Sequence, residues 1–336
     1  MEALQNVGIF FAQALIILFV IIAIILTIAM IVAKNQDHSE ISLEMLHDKI
    51  KNYRRSIQAN TLNKEQQKTL KKQLKEEEKQ NESHQKQRLF VIDFNGDMRA
   101  NAVDSLREEV TAILSHANPQ DEVLIKVESP GGVVHGYGLA ASQLQRIRER
   151  NIPLTVCVDK VAASGGYLMS CVANQVYCAP FAILGSIGVV AQVPNLHRLL
   201  KKYDVDYKEY TAGEFKRTVS LLGEITEKGE EKFKHELEAV HSLFKNFVLR
   251  YRPQIQIDQV ATGEHWYGEQ AIGLGLADAI MTSDDYILKR IDSHQIIQVK
   301  HEKKQKFAEK LSGILGKQMQ KSLINVIDEL QGRSHL

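Results

Sequence analysis

The chain has 336 residues, with 42 Lys and Arg against 41 Asp and Glu and a net charge of +1. That length suits one catalytic domain with additional segments, at roughly 100–200 residues per domain. The balanced charge excludes the basic surface that drives nucleic-acid binding, so no nucleic-acid partner is expected. The three cysteines, Cys157, Cys171 and Cys178, cannot all pair, and their spacing fits no metal site. They read as small buried residues in apolar context. No G-x-G-x-x-G, Walker or zinc spacing occurs.

In chain order, residues 1–33 form the first segment. Val7–Ala33 is uncharged and dominated by Ile, Leu, Val, Phe and Ala, long enough to cross the roughly 30 Å of hydrocarbon in a bilayer. A cleaved signal peptide has an apolar stretch of only about 7–15 residues, so a retained transmembrane anchor is expected. Residues 1–8 carry no Lys or Arg, whereas Lys34, Lys49, Lys51, Arg54 and Arg55 follow the span. A strict count of positive charge would keep the bulk of the chain in the cytoplasm, but only Lys34 lies close to the membrane and long domains cross largely regardless of charge.

Residues 34–88 contain neither Gly nor Pro and are rich in Lys, Glu and Gln. Leu43, Leu46, Ile50, Tyr53 and Ile57 recur at spacings of three and four, a narrow apolar stripe. The segment reads as a charged helical spacer, solvated or packed as a stalk, with the charge run beyond Lys64 frayed. From residue 89 the pattern becomes α/β. Leu89–Phe94 reads as a strand and Asn101–His116 as an amphipathic helix. Glu122–Ser129 is a short apolar run fit for a buried strand, and a helix follows from about Tyr137 to Arg150. Leu154–Asp159 and Tyr207–Thr211 read as further strands, Thr226–Tyr251 and Gln270–Ile280 as helices.

Two turns in this region carry chemistry. Ser129-Pro130-Gly131-Gly132 follows a strand, and a Pro-Gly-Gly corner there frees backbone amides to face a ligand. Ala162-Ala163-Ser164-Gly165-Gly166-Tyr167 sets a serine among small residues, so that a carbonyl carbon can approach its hydroxyl and the next N–H can face an oxyanion. Taken alone, the second turn fits equally well a small-residue helix start packed tightly on a strand.

The two turns, followed by Leu184-Gly185-Ser186-Ile187-Gly188-Val189 and Gly213-Glu214-Phe215-Lys216-Arg217, resemble the signal peptide peptidase A family of membrane-bound serine proteases. The charged segment upstream is most similar to its SohB branch. The resemblance runs from Phe90 to Asp292, with four motifs in the family's order. It implies an α/β fold of ClpP/crotonase type, a spiral of repeated ββα units, with a transmembrane helix and the charged segment before it. The peptidase domain then occupies residues 89–292, and the resemblance implies that it needs no cofactor and no metal. It also implies Ser164 as nucleophile, Lys216 as general base, Ser186 as the hydroxyl that holds the lysine amine, and Gly132 and Gly165 as the oxyanion amides. Spacing alone does not select Lys216, and Lys160, four residues before the serine, is the alternative by proximity.

The implied chemistry has a physical basis. A free lysine has a pKa near ~10.4, and burial disfavours its charged form. Ile183, Leu184, Ile187 and Val189 around Ser186 are the apolar surroundings such an amine requires. The neutral amine takes the serine proton and passes it to the leaving amine. A Ser-His-Asp arrangement is the competing design, but no histidine follows Ser164 where ClpP has its own. His197, His235, His241 and His265 read as surface or core residues. A crotonase-type acyl-CoA enzyme shares the oxyanion hole but has no use for the serine.

Residues 293–336 form a basic tail. Between Lys300 and Lys321 there are seven lysines and two glutamates. Phe307, Leu311, Ile314, Leu315, Met319, Leu323, Val326, Ile327 and Leu330 recur at helical spacing, which fits a membrane surface or a neighbouring subunit. The expected activity is that of a membrane-anchored serine endopeptidase with a Ser-Lys dyad, acting on signal peptides or envelope proteins. Its expected partners are a peptide or protein substrate, the lipid bilayer and further copies of itself in a homo-oligomer. The family implies a bacterial inner membrane, crossed once, with the catalytic domain in the periplasm. The alternative is a catalytically idle scaffold of the same fold bound to a membrane partner.

Overall fold

The computed structural model describes residues 41–63, 65–69 and 87–302, together with positions 13, 15–22, 24 and 27. Contacts divide the chain into Met1–Glu40 and Ile41–Leu336. In the first unit, residues 15–22 are helical, and no helix among the described residues is long and apolar enough to cross a membrane. Most of the expected span, the charge run at 70–86 and the tail stripe from Phe307 onward lie outside the described residues.

In the second unit, β1 (Ile41–Met45) leads into α1 (Leu46–Thr61), followed by β2 (Gln87–Asn95), α2 (Val103–Leu114), β3 (Glu122–Glu128) and α3 (Val134–Glu149). Next come β4 (Leu154–Val158), β5 (Val161–Ala163), α4 (Gly165–Ser170), β6 (Gln175–Cys178), β7 (Ile183–Gly185), α5 (His197–Lys202) and α6 (Glu227–Tyr251). The last elements are α7 (Ile257–Val260), β8 (His265–Tyr267), α8 (Gly268–Gly273), β9 (Ala279–Ile280), α9 (Ser283–Arg290) and β10 (His294–His301).

A seven-stranded sheet runs β1-β10-β2-β3-β4-β6-β9, and a three-stranded sheet runs β5-β7-β8. Every pair in the large sheet is parallel except β1 with β10. Parallel strands covered on both faces read as continuous apolar runs, which is why β2, β3 and β4 were legible. Phe90, Ile92, Phe94, Val123, Ile125 and Val127 point to one face, where Leu106 and Val110 of α2 and Leu144 and Ile147 of α3 cover them. Leu89, Val91, Leu124 and Cys157 point to the other, under Tyr286, Ile287 and Ile291. A strand of the large sheet is followed by one of the small sheet twice, as β4–β5–α4 and as β6–β7 before α5.

Four elements differ from the sequence reading. Ile41–Met45, read as part of the helical spacer, is an edge strand paired with β10, Ile41 opposite His301 and Met45 opposite Ile297. Behind it, Leu46 and Ile50 of α1 pack on the second face of the sheet, while Leu43, Tyr53 and Ile57 stay exposed. His294–His301, read as the start of the tail, is an interior strand between β1 and β2. Tyr207–Thr211 is not a strand; it is exposed and makes no strand pairing. The helix expected over Gln270–Ile280 ends at Gly273, because Gly275 turns the chain with φ of +75° into strand β9.

Candidate active site

The small sheet brings the sequence-predicted turns to one edge. Ser129, just beyond β3, bridges Ala162 of β5. Ala163 of β5 lies beside Gly185 of β7, and Gly185 beside His265 of β8. The residue after β5 and the residue after β7 are both serines with a left-handed φ, +51° at Ser164 and +50° at Ser186. Such a conformation costs a non-glycine residue of the order of 1–3 kcal/mol, and it persists where the surroundings over-determine it.

They do so at Ser164. Its N–H donates to the Gly185 carbonyl at 2.7 Å, and the flanking Ala163 N–H donates to the Ser129 carbonyl at 3.0 Å. Ser164 then caps α4 without a side-chain bond to it, so the hydroxyl stands outside the helix. Below, the buried Tyr167 hydroxyl donates to the Leu276 carbonyl at 3.0 Å and ties α4 to the core. Gly131, with φ of +89°, backs directly onto this corner. A Cβ there would lie 2.7 Å from the Gly165 nitrogen and 2.8 Å from Ser164 Cβ.

The expected oxyanion residues therefore sit in adjacent turns. Gly132 is pressed against the Met98 carbonyl, and the Val133 N–H donates to that same carbonyl at 3.0 Å. Among the described residues, the N–H groups of Gly132 and Gly165 have no hydrogen-bond acceptor. Gly165 is buried and Gly132 half-buried; a donor without an acceptor is costly in proportion to its burial, and two of them beside a strained serine form a place for an anionic oxygen.

The other two expected residues are placed differently. The Ser186 N–H donates to the Glu264 carbonyl at 2.7 Å, and its hydroxyl donates to the Gly263 carbonyl at 3.3 Å, not to a lysine. Lys216 lies in the long connection between β7 and α6, exposed, and no hydrogen bond joins its amine to Ser164 or Ser186. Its neighbours are held to α6: Glu214 pairs with Lys228, and the Phe215 ring lies 5.7 Å from the Lys228 ammonium and 5.5 Å from that of Lys232. Lys160 is accounted for by an ion pair with Glu128 at 3.0 Å.

Of the histidines, His241 places Nε2 3.2 Å from the Ile187 carbonyl, and His265 stacks edge-on against Tyr267. Cys157, Cys171 and Cys178 are free and buried. Burial pushes all three thiols up, Cys178 to about 11, which disfavours the reactive thiolate. No group of acidic, histidine or cysteine side chains able to hold a metal occurs among the described residues. Sequence reading missed Tyr137, Asp97 and the Ser129 hydroxyl, which tie the two turns together. In the sequence Tyr137 marks only the start of the expected helix, so no local signal set it apart.

The profile of Peptidase family S49 matches residues 146–296, and that of the Peptidase family S49 N-terminal region matches residues 2–144. A Haemophilus influenzae protein named "Probable protease SohB" is 48% identical over 344 residues, covering 97% of this chain and 96% of its own length. The chain belongs to peptidase family S49. It is also similar to Protease 4 of Salmonella typhi, at 27% identity over 178 residues, 52% of this chain and 29% of that protein. Among solved structures, the 1510-N membrane-bound stomatin-specific protease with a substrate peptide aligns with a TM-score of 0.41 and 13% identity, over 69% of this chain and 99% of that one. Membership of S49 carries protease function, and the described residues form an α/β fold.

Proposed function

We propose that this S49 protease is a membrane-anchored serine endopeptidase of ClpP/crotonase-like architecture, with Ser164 as nucleophile. The observation that carries the reading is the strained Ser164 corner beside the two unpaired amides of Gly132 and Gly165. Ser164 Oγ attacks the scissile carbonyl carbon, and the carbonyl oxygen takes up negative charge against the two N–H groups. The serine proton passes to the Lys216 amine and from there to the departing amine, leaving an acyl-enzyme. Water then attacks the ester carbonyl and returns the free serine.

For the dyad to form, the Lys216 connection must close over Ser164, where Ser186 can accept the amine in a hydrogen bond. The exposed apolar residues of that connection, Val190, Tyr203 and Tyr210, support a homo-oligomer that covers it. The uncharged Val7–Ala33 stretch supports single-pass anchoring in a bacterial inner membrane, with the catalytic domain periplasmic. Signal peptides or envelope proteins are then the substrates within reach.

A serine-reactive phosphonate tests the reading. Labelling of Ser164, located by mass spectrometry and lost in Ser164→Ala together with peptide hydrolysis, is the expected result. The exposure of Lys216 favours the second reading, an idle scaffold. Failure to label Ser164 in the assembled full-length protein would establish that one instead.

A further inference from the structure

Tyr137 lies where the two turns meet in the interior. It is fully buried, on the first turn of α3, with its ring edge-on to Phe94 at 6.3 Å and 78°. Its hydroxyl donates to the Asp97 carbonyl at 2.9 Å. That uses its one proton, so at the 2.5 Å contact with Ser129 Oγ the serine hydroxyl is the donor. Ser129 Oγ in turn accepts the Gly131 N–H at 3.1 Å. A directional chain results, from Gly131 through Ser129 and Tyr137 to Asp97.

The chain closes on itself. Met98, next to Asp97, accepts the Val133 N–H at 3.0 Å. The Gly131–Val133 stretch is thus held at both ends, with Gly132 between them. The other side of Tyr137 seats the second turn, because a Cβ on Gly165 would strike Cβ, Cγ and Cδ2 of the Tyr137 side chain. Gly96 is likewise shaped to the pair, since a Cβ there would strike Tyr137 Oη and Ser129 Oγ. Burial pushes the Tyr137 hydroxyl above the usual tyrosine range, which keeps it a donor.

We infer that Tyr137 is the positioning residue of the oxyanion hole: its ring sets Gly165, and its hydroxyl, through Ser129 and Asp97, sets Gly132, so that both amides aim at one oxygen. This rests on the oxyanion role proposed above for those two amides. Tyr137 touches no substrate; it acts by fixing two backbone segments whose spacing must hold to about 0.5 Å for such a site to work.

The test is Tyr137→Phe in the purified full-length protein, which keeps the ring and removes only the hydroxyl. Loss of one oxyanion donor costs about 10²–10³-fold in kcat, and loosening one through its support is expected to cost about tenfold, with KM unchanged. Affinity for a peptide boronic acid, a tetrahedral mimic, should fall in parallel, while affinity for the cleaved product peptide should not. Ser129→Ala breaks the same chain at its other link. It should match Tyr137→Phe, and the double variant should be no worse than either, whatever the folding yield of one of them. Unchanged kcat and boronic-acid affinity in Tyr137→Phe, or a change in KM alone, would overturn the inference. Ser164→Ala, run alongside, separates the two levels: hydrolysis surviving there removes the oxyanion reading itself, whereas its loss there with normal Tyr137→Phe turnover removes only the positioning role.

Discussion

The Ser164 corner and the Lys216 connection carry the two halves of one proposed reaction and are built by opposite means. The corner is over-determined. Ser129, Ala163, Ser164 and Gly185 exchange backbone bonds, Tyr137 and Tyr167 are buried beneath, and a left-handed serine is held in place. The connection from Val189 to Glu224 contains one short helix, α5, with no buried residue. It meets α6 through the surface pair Lys228–Glu214 and is tied within itself by the exposed pair Arg217–Glu209. Exposed pairs of this kind are screened by water and hold the connection only weakly. An oxyanion hole must be rigid before substrate arrives. A proton acceptor can be delivered later, by closure or assembly.

The sharpest way to break that contrast is mutation at its two ends. Ser164→Ala should abolish peptide hydrolysis, because no acyl-enzyme can form. Lys216→Ala should be nearly as severe, and Lys216→Arg no better, since a guanidinium stays protonated. Both Lys216 variants should melt like the parent, as an exposed loop residue contributes little to the fold. Ser186→Ala should be milder. Near-parental kcat/KM in Lys216→Ala would show that the connection supplies no base.

Gly165→Ala attacks the rigid half and should combine two losses. The added methyl meets the Tyr137 ring, and overpacking of this kind costs typically 1–3 kcal/mol. A lowered Tm together with lost activity is expected; a parental Tm with intact turnover would mean the corner is softer than it looks. Lys160→Ala is the matched control at the mouth of β5. It removes only an exposed pair with Glu128, so substantial turnover and an unchanged Tm are expected. A loss as deep as that of Lys216→Ala would exchange the roles of the two lysines.

The smallest expected effect separates the core's pH response from that of the reaction. Burial pushes the Glu109 carboxyl up to about 7, the Asp93 carboxylate adding to this while the His301 N–H at 2.8 Å opposes it. Its folded value lies above the unfolded 4.5, so folding binds the proton. Stability from this group is full below about 4.5 and is lost as pH rises to about 7. Glu109→Gln keeps an acceptor for His301. It should flatten stability against pH between those limits and raise the Tm at pH 8, without altering the pH profile of kcat/KM. Parallel pH curves for the two proteins would remove Glu109 as the source.

Legibility from sequence followed the range of the forces involved. The strands of β2, β3 and β4 were readable because parallel strands buried on both faces demand unbroken apolar runs. The helix from Thr226 was readable because its cap is local, with Thr226 Oγ1 accepting the Gly229 N–H at 3.1 Å. The Ser129–Gly132 and Ala162–Tyr167 turns were readable because close backbone approach admits only small residues. Strand β1 was not, because the partner of Ile41 is His301, far along the chain, and a five-residue strand has little pattern of its own. Tyr207–Thr211 misled for the converse reason. Its β-prone residues pair with no strand among the described residues.

By itself, then, the sequence determined the apolar runs, the glycine-lined corners and the serine among them, since each is a demand that neighbouring residues place on one another. Tertiary structure alone decided that Ser129, Ala163 and Gly185 would lie in register, that Tyr137 would stand under both corners, and that Lys216 would remain outside. Those relations join residues from separate elements, and only the packing of two sheets and their helices into one core sets the distances between them.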